Sequence, residues 1–91
     1  MKTVHFHPGQ IVATPGALTL AQEHSINLAT YLQRHLLGDW GDLGEEDRQE
    51  NDFSLQHGYR IMSAYNTAGG RLWIITEADR SSTTFLLPEE Y

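Results

Sequence analysis

The chain has 91 residues, 40% hydrophobic and 20% charged, the make-up of one globular domain (1–91) with a single core. Twelve Asp and Glu oppose six Lys and Arg, a formal net charge of −6, so the clustered positive charge that a nucleic-acid-backbone binder needs is missing. There is no cysteine for a disulfide or thiolate metal site, no apolar run of the ~18–20 residues that span a membrane, and no apolar signal-peptide core, so a cytoplasmic protein without membrane association is expected.

Residues 1–9 read as a loose N-terminal arm. His5 and His7 alternate as on a strand, but they are an incomplete ligand set, so no metal and no other cofactor is expected. Gln10 to Thr14 is short and β-branched, a strand. Thr14 then suits an N-cap and Pro15 the first helical position, where its missing N–H costs nothing. This first helix reaches about His24. Ser25 or Asn27 caps a second helix over 27–37, in which Leu28, Tyr31, Leu32, His35 and Leu36 follow i, i+3, i+4, i+7, i+8 spacing and make one buried stripe. His35 lies on that stripe near the helix end. It is either a core-edge histidine bonded to backbone or an active residue. Gly38 is suited to the left-handed position that ends a helix.

The stretch Gly38-Asp39-Trp40-Gly41-Asp42-Leu43-Gly44 is unusual for a helix-to-helix link. In one reading Trp40 is buried and the aspartates fold back as turn residues, making a latch. In the other, Asp39 and Asp42 flank an exposed Trp40 and form a binding surface. The acid run from Glu45 to Asp52 suits the first turns of a third helix, where negative charge meets the positive dipole end. Glu46, Asp47 and Asn51 are its candidate binding residues, with Asn51 in reach of the Trp40 loop. Gly58 ends this helix.

From Tyr59 the hydrophobic period changes to two. Strands are expected over 59–65, 71–77 and 82–87, joined by a turn at 66–70 and a tight turn at 78–81. The middle one is apolar on both sides, as a central strand would be. The expected architecture is α+β: a short N-terminal strand and two to three helices packed on a C-terminal three-stranded antiparallel meander. The last strand is then a candidate edge for a homodimer.

Several blocks together resemble a known family. They are Ala13-Thr14-Pro15-Gly16-Ala17-Leu18, His35-x-x-Gly38-Asp39-Trp40-Gly41-Asp42-Leu43-x-x-Glu46-Asp47, Asn51-Asp52, and the run from Trp73 through Thr76-Glu77-Ala78-Asp79-Arg80-Ser81 to Pro88. They look like small plasmid-related proteins of bacterial plasmids, integrative elements and prophages, over residues 10–91. The resemblance implies a mobile-element setting and no defined chemistry. On it rests the leading expectation, an acidic accessory protein that binds a host or element-encoded protein, a defence or regulatory factor. The alternative is a metal-independent ribonuclease with the architecture of barnase and RelE relatives. His35 would be its general acid/base, Arg80 its phosphate ligand and Thr83 or Thr84 a hydrogen-bond donor. That alternative alone implies a nucleic-acid partner, and it requires the three residues to share one open cleft.

Overall fold

The computed structural model describes residues 3–91. Four strands, β1 (Gln10–Ala13), β2 (Ile61–Thr67), β3 (Gly70–Thr76) and β4 (Ser82–Leu86), form one mixed sheet in the order β1-β4-β3-β2. Three helices, α1 (Pro15–Glu23), α2 (Leu28–Leu36) and α3 (Glu45–His57), complete an α+β fold, and a short 3-10 turn over Pro88–Glu90 closes the chain. Strands β2, β3 and β4 are the expected antiparallel meander. Strand β1 adds to it in parallel, with Gln10 beside Ser82 and Ala13 beside Phe85. A parallel partner needs a long crossover, which the three helices supply. The final strand, expected at an edge, is therefore interior. The edges are β1 and β2.

The local signals work as the residues dictate. The Thr14 hydroxyl accepts from the Ala17 N–H at 3.2 Å, and the Asn27 side chain accepts from Ala29 N–H at 3.0 Å. Gly38 and Gly58 stop their helices with φ of 82° and 74°. Glu90 adds a long-range cap. Its carboxylate accepts from the Thr14 hydroxyl at 2.5 Å and the Gly16 N–H at 3.0 Å, tying the chain end to the start of α1. The Thr14 hydroxyl first, then the Leu87 N–H at 2.8 Å and the Gly16 N–H, hold its carboxyl below the ordinary range.

The ladder register places Ile61, Ser63, Tyr65, Leu72, Ile74, Thr76, Thr83 and Phe85 on one face, and all are buried. Ala17 and Leu20 of α1, with Tyr31 and Leu32 of α2, cover Tyr65, Leu72, Ile74 and Phe85. A second cluster joins Phe6, Trp40 and Ile61 to Leu36, Leu43 and Leu55. Each large side chain so buried contributes roughly 1.5–3 kcal/mol. On the other face Trp73 meets Tyr91 edge-on at 5.6 Å, and the Arg60 guanidinium lies over the Tyr91 ring at 5.4 Å. Ala64 and Leu86, which flank Trp73 in the ladder, are buried.

The stretch read as a loose arm is packed from residue 5 onward. Phe6 is 9% exposed. The His5 N–H donates to Leu36 O at 2.8 Å, and Pro8 O accepts from the Thr83 hydroxyl at 2.7 Å. Burial of one aromatic ring and two hydrogen bonds offset the entropy of ordering these residues. Residues 1 and 2 of the expected arm lie outside the described residues. Among the described residues, no helix is long and apolar enough to cross a membrane.

Candidate functional site

The Trp40 loop is a latch on the edge of β2. Gly38 turns the chain out of α2, and Gly41, with φ of 77°, brings it against Ala64. A Cβ at Gly41 would stand 2.1 Å from Ala64 O, so no other residue fits this approach. The Ala64 N–H donates to Trp40 O at 3.2 Å, and Ala64 O accepts from the Asp42 N–H at 2.7 Å. Two side chains extend the same pairing. Asn51 gives its amide N–H to Met62 O at 2.5 Å and accepts from the Met62 N–H at 3.1 Å. The Asp42 carboxylate accepts from the Asn66 N–H at 2.8 Å. Both outward groups of Met62 and Ala64, and the N–H of Asn66, are thus bonded by residues that are not a strand.

Trp40 is 4% exposed, packed with Phe6 and edge-on to His35 at 5.9 Å, and its indole N–H donates to Asp52 at 3.0 Å. It is not the exposed anchor that a binding surface around Asp39 and Asp42 requires. Asp39 accepts from the Gly41 N–H at 3.1 Å and pairs with Arg34 at 2.7 Å. Its carboxyl is held below the usual range, first by the Arg34 hydrogen bond. Arg48 grips the loop from α3 through Gly41 O at 3.0 Å and Leu43 O at 3.1 Å. Asp39, Trp40, Asp42 and Asn51 thus hold the loop to the edge of β2. For Trp40 and Asn51, which are buried, this replaces the expected display on a binding surface, whereas the Asp39 and Asp42 side chains stay exposed.

His35, Arg80 and Thr84 do not share a cleft. His35 is fully buried under the sheet. Its Nδ1 meets the Ser63 hydroxyl, and its Nε2 lies 2.9 Å from the Thr76 hydroxyl. Thr76 bonds Thr83 at 2.7 Å, and Thr83 donates to Pro8 O at 2.7 Å. Because Pro8 O can only accept, Thr83 donates to it and Thr76 donates to Thr83. The Thr76 oxygen is then free to accept from Nε2–H, and Nδ1 accepts from Ser63. The chain of donors is closed with a neutral imidazole. Burial, then the Arg80 charge, push the His35 pKa down to about 3. The ring bonds hydroxyls rather than the backbone expected of a core-edge histidine.

Arg80 spends its fork on carbonyls, not on a phosphate. It donates to Tyr59 O at 2.7 Å, Glu77 O at 3.1 Å, Ala78 O at 3.2 Å and Ser54 O at 3.3 Å, and it stacks on Phe6 at 5.6 Å. Thr84 pairs with Ile75 on the face of the sheet opposite His35. A strand's alternation puts Thr83 and Thr84 on opposite sides, so no motion short of unfolding brings Thr84 to the imidazole. The catalytic assignment of His35, Arg80 and Thr84 is corrected on these grounds.

Glu46 and Asp47 do remain on an open surface. With Glu50 they rim a groove of about 570 Å³ between α3 and β2, floored by Leu43 and Met62. The same groove is lined by two exposed aromatic rings, Phe53 at 54% and Tyr59 at 55%, stacked 5.8 Å apart. His57 stacks on Phe53 at 4.2 Å. Among the described residues the one ion pair is Arg34–Asp39, so none of these carboxylates has an ion-pair partner there, although Arg60 lines the same groove. Among the described residues, no group of three or more histidines and carboxylates stands close enough to hold a metal ion. Sequence reasoning missed Glu50, Phe53 and Tyr59 as a group. The available signal was an aromatic at 53 that breaks the polar face of α3 and another just past Gly58. Compared with known protein families, characterised proteins and solved structures, the chain matches none.

Proposed function

We propose that this chain is a small accessory protein that works by protein–protein binding, and that the acidic groove between α3 and β2 receives a basic, extended segment of its partner. One observation carries this reading: the exposed Phe53–Tyr59 stack stands around one hollow with the carboxylates of Glu46, Asp47 and Glu50, which have no ion-pair partner among the described residues. Aromatic anchors ringed by charge are the pattern of binding hot spots. The carboxylates attract Lys or Arg, and the rings offer a face for guanidinium or aliphatic stems. The blocks around Trp40 and Arg80 that resemble plasmid-related proteins support a setting on a bacterial mobile element, and the lack of cysteine fits a cytoplasmic one. They support a host or element-encoded defence or regulatory factor as the partner.

The test compares wild type with Glu46→Lys/Asp47→Lys/Glu50→Lys and with Phe53→Ala. Each is used as bait in bacterial extract at physiological salt, with bound proteins quantified by mass spectrometry. The reading expects a partner enriched on wild type and reduced at least tenfold on both variants, all baits having the same circular dichroism. A partner retained equally by both variants would refute the groove.

A further inference from the structure

The two edges of the sheet are treated differently. The latch bonds β2 at Met62, Ala64 and the Asn66 N–H, whereas among the described residues β1 has no such cover. The Gln10 N–H donates to Ser81 O at 3.0 Å and the Thr14 N–H to Phe85 O at 2.9 Å, both toward β4. Alternation turns Val12 the same way and leaves the N–H and C=O groups of Ile11 and Ala13 facing outward. Edges are commonly blunted by charge, proline or a bulge. Gln10 to Ala13 contains neither charge nor proline, and its register with β4 is unbroken. Ile11 and Val12 are 44% and 40% exposed. Between β1 and α2 lies an apolar hollow of about 260 Å³, bounded by Ile11, Ala13, Leu28, Leu32 and Phe85.

We propose that β1 pairs with β1 of a second copy of this chain, antiparallel, about a two-fold axis through Val12. In that register Ile11 and Ala13 of one copy face Ala13 and Ile11 of the other. Their outward groups exchange four hydrogen bonds. Val12 faces Val12, and Gln10 faces Thr14. The neighbouring registers that keep the same faces together fail. Centring on Ile11 sets Ala13 against Gly9, whose φ of 68° is not extended. Centring on Ala13 sets Ile11 against Pro15, which has no N–H to give. A one-residue slip puts every side chain on the wrong face.

Side chains and charge favour a second copy as the occupant. Ile11 and Ala13 lie on the helix-covered face, in register with Thr83 and Phe85. The partner's Ile11 therefore arrives over Ala13, where the small side chain leaves the hollow, and each copy fills the other's. Every residue lining that hollow is uncharged. The acids of α3 lie against β2 at the other end of the sheet. Two chains of −6 each thus meet through neutral edges, with their acidic helices at the far ends of an eight-stranded sheet. The edge is four residues long, so this is a contact of the small, concentration-dependent class.

The chain has no cysteine, which makes the register directly testable. Across the two-fold, Val12 faces itself as a non-hydrogen-bonded pair with Cα atoms about 4.5 Å apart, inside disulfide range. The two Ile11 Cα atoms stand roughly 8–9 Å apart, outside it. Sedimentation equilibrium of the unmodified chain is expected to show a monomer–dimer equilibrium. Val12→Cys is expected to form a disulfide-linked dimer at least tenfold faster than Ile11→Cys. Val12→Lys, which opposes two charges on the axis, is expected to be monomeric with the circular dichroism of wild type. The proposal is overturned by a wild-type chain that stays monomeric to about 1 mM. Equal linking rates for the two cysteine variants, or a dimer that survives Val12→Lys, also overturn it.

Discussion

His35 ties stability to pH. Its imidazole is buried neutral between Ser63 and Thr76, with a pKa pushed down to about 3 from the ordinary 6.5. In the unfolded chain it is protonated below pH 6.5, while the folded protein refuses the proton until about pH 3. The unfolded state therefore binds more protons in that window, and stability falls as pH falls through it. The slope for one such group is about 1.4 kcal/mol per pH unit. Urea unfolding of His35→Gln between pH 4 and 6.5 should show a shallower pH dependence than wild type by about that amount. Equal slopes would mean that His35 is not held neutral. Sequence periodicity placed this histidine on the buried stripe. Its hydroxyl partners lay 28 and 41 residues away, and no local pattern points to them.

At the scale of elements, the caps and the latch differ in how they are encoded. Thr14, Asn27, Gly38 and Gly58 act within a few residues of themselves, so their roles follow from chain chemistry alone. The Trp40 loop acts on β2, whose Ala64 is more than twenty residues downstream. Asp39, Trp40 and Asp42 looked like a displayed surface because aspartate beside tryptophan is as apt for display as for turns. Only the position of the β2 edge decided between the two. Asn51→Ala removes both bonds to Met62 and leaves its N–H and C=O without partners. A loss of about 2–4 kcal/mol is expected. Amide exchange should quicken at Met62 more than at Ala64, whose bonds to the loop backbone remain. Uniform acceleration at both amides would show that Asn51 acts through global stability alone.

On the scale of the whole molecule, residues 5–9 are a structural component. Phe6 completes the cluster of Trp40 and Ile61, and Pro8 O terminates the hydroxyl chain that begins at His35. Removing residues 1–7 should destabilise the protein by about 3–5 kcal/mol, the cost of deleting a buried aromatic, as measured by denaturant unfolding. A change below about 1 kcal/mol would show the segment to be dispensable, since that is no more than one net hydrogen bond. The same scale sets the fate of the sheet edges. With β1 beside β4, the terminal strand is enclosed, and the open edge moves to the opposite end of the sequence.

The order of elements, their caps, the meander and the α+β class were legible in the residues alone, because period, capping and turn chemistry are local. The candidate site was legible only in part. Glu46 and Asp47 were singled out by their charge, but the groove proposed to bind also needs Phe53 and Tyr59, which the end of α3 and the segment before β2 bring together. Three further outcomes belonged to the tertiary structure. They are the parallel seat of β1, the burial of Trp40 against the rim of the sheet, and the separation of His35 from Thr84. Each depends on which distant backbone groups remain unpaired once the sheet has formed. Hydrogen-bond satisfaction at an edge is a property of the assembled fold and of no single stretch of chain.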